Sequence, residues 1–218
     1  MININKILSQ SKFQKISVEV KNYMINSDSS HNFSHCLRVL NNGIKIASIE
    51  GGDLQIITAA ALLHDIYNLP KNNPKKHLSS QISANKAKII LKNIGFEKEK
   101  IEIIKDAIIC HSFSLGLTPK SLEGKILQDA DRLDAIGAIG IARAYATGAK
   151  FNSLLYSSKD PFLKTNRCPD DKNNTLDHFF IKLLKIKNRM LTLTGKKLAQ
   201  KRTTFMMKFI KHLEKEIK

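Results

Sequence analysis

Residues 54–65 read "LQIITAAALLHD", an almost continuously apolar run that ends with a histidine and an aspartate side by side. The segment "GGD" at 51–53 opens the run, and together they predict a buried helix over about residues 53–65. Burying an imidazole and a carboxylate costs several kcal/mol of free energy unless something pairs with them. His64 and Asp65 therefore lie at the surface as a helix end, or a partner such as a divalent metal compensates them.

Helical periodicity dominates the rest of the chain, and strand-like alternation is scarce. Apolar residues from Phe33 to Ala47 recur at helical spacing, after the polar segment "NSDSSHN" at 26–32. Further helices are predicted over about 78–93, over about 97–111, from near Lys125 past Arg143, and through 176–190 and 198–213. The polar stretch 146–174 is a long loop, either a functional lid or disordered. The chain is therefore predicted to be all-α.

The composition limits the classes of partner. The 218 residues include 36 Lys and Arg against 19 Asp and Glu, a formal net charge of +17 that attracts anions such as nucleotides. The lysines are scattered, aromatic residues make up 6% and tryptophan is absent, so we expect no specific nucleic-acid interface. No apolar run approaches the ~18 residues of a membrane span. The N-terminus lacks the layout of a signal peptide, so we expect a cytoplasmic protein that does not bind membranes.

Histidines and aspartates fall in or at the ends of the predicted helices. The candidate metal ligands, in chain order, are His31, His35, His64, Asp65, His111, Asp129, Asp131 and Asp134. Imidazole and carboxylate ligands together are typical of a divalent transition metal such as Mn, Fe, Co, Ni or Zn. A metal with open coordination positions acidifies water and polarises a phosphoryl oxygen, which favours hydrolysis over a structural site. The alternative is ordinary helix chemistry, with histidines on a surface helix and aspartates at a helix N-terminus.

Three segments in this order resemble the HD-domain metal-dependent phosphohydrolase superfamily: "HCLRV" at 35–39, "LLHD" at 62–65 and "DADRLD" at 129–134. The resemblance implies an all-helical bundle around a central metal, with His35, His64, Asp65 and Asp131 as ligands. Mn is the favoured metal, with Fe, Co, Ni, Zn or Mg as alternatives. The segment at 123–143 and the C-terminal region look like a small bacterial subgroup that is linked to nucleoside triphosphate pyrophosphohydrolysis. That subgroup often has an acid where this chain has Asn32.

The remaining polar residues have roles that the sequence leaves open. Asp65 is a candidate proton acceptor as well as a ligand. His31 would contact phosphate, protonate a leaving group or support a ligand. His111 would contact substrate or end its helix, and Asp134 would orient a ligand, bind a substrate hydroxyl or lie at the surface.

The segment "LPKNNPKKH" at 69–77 places basic residues directly after His64 and Asp65. Lys75, Lys76 and His77, with Lys71, are predicted to clamp phosphate groups; solvated lysines on a mobile loop are the alternative.

The domain plan predicted from these features is an N-terminal helical extension at 1–24, an HD core at 25–145, a loop or lid at 146–174, and C-terminal helices at 175–218 that pack on the same domain. The predicted function is cleavage of (deoxy)nucleoside triphosphates to monophosphate and pyrophosphate. Alternatives are a phosphomonoesterase or phosphodiesterase that acts on another nucleotide and, more remotely, a basic nucleic-acid-binding module. A homodimer remains open.

Overall fold

The computed structural model describes residues 3–24, 32–69 and 73–217, and these contain helices and no β-strand. The all-α prediction is therefore confirmed. The helices are α1 (Ile4–Leu8), α2 (Ser11–Tyr23), α3 (Phe33–Glu50), α4 (Leu54–Leu63), α5 (Ser79–Ile94), α6 (Lys98–Cys110), α7 (Leu122–Asp134), α8 (Gly137–Lys150), α9 (Thr175–Ile181) and α10 (Leu193–Ile217). Short 3₁₀ segments lie at Lys76–Leu78, Phe113–Leu115 and Leu183–Arg189.

Helix α4 is the apolar run of the sequence, and it is buried along almost its whole length. The carboxylate of Asp53 caps its N-terminus by accepting hydrogen bonds from the backbone N–H groups of Gln55 and Ile56, at 2.7 and 3.4 Å. The helix packs against α2, α3 and α6. Because neighbours surround it, α4 is apolar on every face rather than on one stripe.

Helices α7 and α8 differ from the single helix predicted from Lys125 past Arg143. The chain breaks at Ala135 and Ile136, and Gly137 then begins α8 with a φ of +80°. A side chain at Gly140 would place its Cβ 2.3 Å from the carbonyl oxygen of Ala135. This tight turn requires glycine for both the backbone conformation and the space. Helical periodicity continues through the turn, and for that reason it does not reveal the break.

The chain forms two compact units. The first comprises Met1–Asp131 with Leu191–Gly195, and the second Arg132–Met190 with Lys196–Lys218. The core of the first unit is aliphatic, with two aromatic rings, Phe13 and Phe96, in an edge-on pair. Among the described residues, no helix combines the length and apolar character that a membrane span needs.

In the second unit, the rings of Tyr145, Phe179 and Phe209 pack together with centroids 5.8–6.4 Å apart. The irregular segment between α8 and α9 carries its own polar contacts. The guanidinium of Arg167 donates two hydrogen bonds of 2.6 Å to the carboxylate of Asp177. Whether this segment acts as a lid stays a prediction.

Candidate metal centre

Four side chains from three parts of the first unit converge on one point. His35 comes from the first turn of α3, His64 and Asp65 follow α4 directly, and Asp131 lies near the end of α7. The Nε2 atoms of His35 and His64 are 3.1 Å apart. Asp131 Oδ1 lies 3.4 Å from the first of these nitrogens and 3.9 Å from the second. Asp65 Oδ2 lies 3.8 Å from both.

The two imidazoles are held so that their nitrogens face this point. The Nδ1 atom of His64 contacts the carbonyl oxygen of Ala61 at 2.9 Å. A carbonyl oxygen only accepts, so Nδ1 carries the proton and Nε2 presents its lone pair. Burial lowers the pKa of His64 to about 4, so this ring is neutral at physiological pH. At the start of α3, the side chain of Asn32 accepts a hydrogen bond of 3.1 Å from the backbone N–H of His35 and fixes the first helical turn.

The carboxylates complete a donor set that fits a divalent cation. Burial alone would raise the pKa of Asp131, but the hydrogen bond from His35 opposes burial and holds this pKa well below its usual range. Donor atoms of His35, His64 and Asp131 all lie within 4.8 Å of one another. Neutral imidazole nitrogen and ionised carboxylate oxygen are the donor forms that divalent transition metals bind. The structure therefore brings together all the ligands that the resemblance implied.

His111 lies beside this cluster. It follows α6, and its Nε2 is 3.5 Å from Asp65 Oδ1. Its ring meets that of His64 at 85°, with centroids 5.0 Å apart. Burial lowers the pKa of His111, but the neighbouring Asp65 carboxylate outweighs burial and raises it overall. The structure therefore places His111 beside His64 and Asp65, and its contact with substrate stays a prediction.

Helix α7 connects the cluster to the rest of the first unit through residues that the sequence analysis did not assign. The amide of Gln128 donates to the carbonyl oxygens of Cys110 and Leu117. The amide of Asn42, on α3, donates to the carbonyl oxygen of Ala130 at 3.0 Å. The partners of these side chains are backbone groups far away in the chain. A single sequence has no local pattern that would reveal such a contact.

Asp129 was a candidate metal ligand because it is an aspartate. In the structure its carboxylate accepts hydrogen bonds from a distant segment of the chain. Its fully buried carboxylate accepts hydrogen bonds from the backbone N–H groups of Leu191 and Thr192 and from the Thr192 hydroxyl, at 2.8–3.1 Å. The segment 191–195 is thereby fixed to α7, two residues from Asp131.

The segment after His64 and Asp65 is fixed to the start of α5. The hydroxyl of Ser83 accepts from the backbone N–H of Tyr67 at 3.1 Å and donates to its carbonyl oxygen at 2.9 Å. The hydroxyl of Ser79 accepts from the backbone N–H of Leu69 at 3.2 Å. These bonds limit the movement of the backbone that carries Asp65.

Of the residues predicted to clamp phosphate, some are exposed and one makes hydrogen bonds within the protein. Lys75 and His77 are exposed. Lys76 Nζ donates to the carbonyl oxygen of Leu69 at 2.7 Å and to Asn68 Oδ1. Asn68 in turn donates to Asp65 Oδ2 at 3.4 Å, so Lys76 is linked to the cluster through one side chain. Phosphate binding by these residues stays a prediction.

The remaining assigned residues are Asp134, His31 and Lys71. Asp134 belongs to the second unit, where its buried carboxylate pairs with Arg143 Nη1 at 2.6 Å. Its predicted role toward a ligand or substrate stays untested. His31 and Lys71 lie outside the described residues.

Comparison with known proteins agrees with this geometry. A sequence model of the HD domain matches residues 32–136. The chain is 35% identical over 209 residues to the uncharacterized protein YpgQ of Bacillus subtilis, which covers 94% of this chain and 93% of that protein. The chain therefore belongs to the HD-domain superfamily.

Solved structures show the same fold in relatives. An HD-superfamily hydrolase from Bacillus thuringiensis is 34% identical, with a TM-score of 0.74 over 95% of this chain and 97% of that one. The structure of Bacillus subtilis YpgQ in complex with ADP is 32% identical, with a TM-score of 0.71 over 94% of this chain and 96% of that one. These similarities support a hydrolase of the HD superfamily.

Proposed function

We propose that this protein is a divalent-metal-dependent phosphohydrolase that cleaves (deoxy)nucleoside triphosphates to monophosphate and pyrophosphate. The observation that carries the proposal is the convergence of His35, His64, Asp65 and Asp131, with two Nε2 atoms 3.1 Å apart and two carboxylates within 4 Å. When bound by these residues, a divalent metal would supply Lewis-acid polarisation of a phosphoryl oxygen and would acidify water. Mn²⁺ is the proposed metal, because carboxylate ligands suit it, and Fe, Co, Ni, Zn or Mg are the alternatives.

The residues of the chain contribute acid–base chemistry and positioning. Asp65 is the proposed proton acceptor for the attacking water, and His111 holds its other carboxylate oxygen at 3.5 Å. The Nδ1 of His111 meets the carbonyl oxygen of Ile108, so a contact with a phosphate oxygen would have to use Nε2, which also lies beside Asp65 Oδ1. Lys75 and His77 are exposed in the segment that follows Asp65, where the positive charge of Lys75 would attract the distal phosphates.

The choice of a nucleotide rests on the relatives and on charge. The structure of YpgQ in complex with ADP belongs to a protein that this chain matches over nearly its full length. The net charge of +17 favours polyanionic ligands. If the basic segment holds the distal phosphates, the α-phosphorus lies over the cluster and pyrophosphate is the leaving group. The subgroup that the sequence resembles is linked to cleavage of this same bond, which supports the proposal.

The test is hydrolysis of a panel of nucleoside triphosphates with Mn²⁺ in ¹⁸O-labelled water, with products identified by mass spectrometry and ³¹P NMR. We expect pyrophosphate and a monophosphate that carries the label, because water attacks the α-phosphorus. Asp65→Asn should remove turnover, whereas Glu102→Gln, which changes an exposed carboxylate paired with Lys88 and Lys105, should retain it. Inorganic phosphate and a diphosphate as the first products would contradict the proposal, because they would place the cleavage at the terminal anhydride bond.

A further inference from the structure

Gln128 is a buried amide whose two hydrogen bonds join α7 to the segment that begins with His111. The side chain is 1% exposed, and its Nε2 donates to the carbonyl oxygens of Cys110 at 2.6 Å and Leu117 at 2.8 Å. Both partners are carbonyl oxygens, which only accept hydrogen bonds. The side chain must therefore turn its NH₂ group toward them, and both of its hydrogens are used.

The two carbonyls are at opposite ends of one short segment. Cys110 is the last residue of α6, and Leu117 lies just beyond the 3₁₀ turn Phe113–Leu115. His111 is the residue that follows Cys110, and its Nδ1 contacts the carbonyl oxygen of Ile108 at 2.5 Å. The Gln128 amide thus satisfies a carbonyl at the end of α6, which has no partner within that helix. It holds both ends of segment 110–117 at a fixed separation.

The same helix carries Gln128 and Asp131. The two residues are three positions apart on α7 and therefore lie on neighbouring faces of one turn. The position of Asp131 in the cluster and the position of segment 110–117 are consequently set by one rigid element. Helix α7 therefore fixes the position of the His111 segment relative to the carboxylate of Asp131, although His111 and Asp131 belong to different helical segments.

We propose that Gln128 is a positioning residue that holds His111 against Asp65 Oδ1 and toward the phosphates of the substrate. This inference rests on the proposed function in so far as His111 acts on a nucleotide. Both hydrogen bonds of Gln128 go to backbone carbonyl oxygens, at Cys110 and Leu117, so it acts on His111 through the backbone. Its loss should therefore affect turnover through His111 and leave the binding of a metal by the cluster unchanged.

The variant that isolates this role is Gln128→Met, which keeps the length of the side chain and removes both donors. Gln128→Glu is the second variant, because its carboxylate would face two carbonyl oxygens and repel them. The matched control is Asp106→Asn. Asp106 Oδ2 accepts a hydrogen bond of 3.2 Å from the backbone N–H of Lys120, and its Oδ1 accepts a long contact of 4.0 Å from the Cys110 thiol. This change loosens those contacts and leaves the bond from Gln128 to the carbonyl oxygen of Cys110 in place. Far-UV circular dichroism verifies that each variant is folded.

The first readout is kinetic. Gln128→Met should lower kcat by about 10- to 100-fold, the range seen when groups that orient active-site residues are removed. The same change in a His111→Ala background should lower kcat by no more than about twofold, because the residue that Gln128 positions is already gone. Gln128→Met should still bind Mn²⁺ stoichiometrically, because the four side chains of the cluster are unchanged. An equal loss of kcat in both backgrounds would show a general structural role and overturn the proposal.

The second readout does not depend on activity. In ¹⁵N-histidine-labelled protein, the ring resonances of His111 are identified by their loss in His111→Ala. We expect Gln128→Met and Gln128→Glu to shift or broaden these resonances and to leave those of His35 and His64 in place. Asp106→Asn should move the His111 resonances less than either Gln128 variant does. Unchanged His111 resonances in both Gln128 variants would overturn the proposal. If no nucleotide is hydrolysed, the proposed function fails, and this spectrum still decides whether Gln128 positions His111.

Discussion

Asp129→Asn should destabilise the first unit strongly although it changes only one atom of a side chain. The buried carboxylate accepts hydrogen bonds from the backbone N–H groups of Leu191 and Thr192 and from the Thr192 hydroxyl. An asparagine keeps one oxygen for these donors and places an NH₂ group against the other N–H. Hydrogen bonds to a charged group contribute roughly 1.5–3 kcal/mol each, and a buried donor without a partner costs about 1–3 kcal/mol. Because part of the network survives, we expect a loss of about 2–4 kcal/mol in the free energy of unfolding.

The assay is urea denaturation followed by far-UV circular dichroism, with Glu102→Gln as the control. That change removes exposed ion pairs, which contribute only about 0–1 kcal/mol. Mn²⁺ affinity should also fall in Asp129→Asn, since Asp131 lies two residues further along α7. A loss in unfolding free energy of less than about 1 kcal/mol would refute the view that this carboxylate fixes segment 191–195 to α7.

Three further outcomes follow from the contacts described above. Gly195→Ala should also destabilise the first unit, by about 1–3 kcal/mol, because its Cβ would lie 2.3 Å from Asp129 Oδ2; calorimetry that shows no change would contradict this contact. Backbone and hydroxyl donors of the 164–165 segment lower the pKa of Asp160 to about 2, below its usual 3.8. The stability it adds is present above pH 4 and is lost as the pH falls toward 2, so acid titration of Asp160→Asn should show a weaker dependence in this range. Of the three cysteines, only Cys168 is exposed, so native protein should react with one equivalent of a thiol reagent and denatured protein with three.

The sequence predicted the fold class and the central residues because both depend on local patterns. The apolar run of α4 identifies a buried helix, and the His64–Asp65 pair at its end requires either a surface position or a partner that compensates its charge. The ordered segments around His35 and Asp131 then supplied the other two members of the cluster through a family resemblance. Each of these signals lies within a few residues of the chain.

The features that the sequence did not predict depend on contacts between distant residues. Gln128 is one polar residue in a helix until its partners at Cys110 and Leu117 are known, and Asn42 bonds to a carbonyl 88 positions away. Lys76 was predicted from its charge to bind phosphate. In the structure its Nζ donates hydrogen bonds to Asn68 Oδ1 and to the carbonyl oxygen of Leu69. Composition assigns such residues to a solvated surface, and only the packing of helices reveals their partners.

The central claim is that His35, His64, Asp65 and Asp131 bind one divalent metal, and equilibrium dialysis against Mn²⁺ with elemental analysis of the protein tests it most directly. The native protein should retain about one Mn²⁺ per chain. The double variant His64→Ala, Asp65→Ala should retain none while its far-UV circular dichroism stays helical, and Glu102→Gln should bind as the native protein does. Stoichiometric Mn²⁺ in the helical double variant, or none in the native protein, would contradict the account.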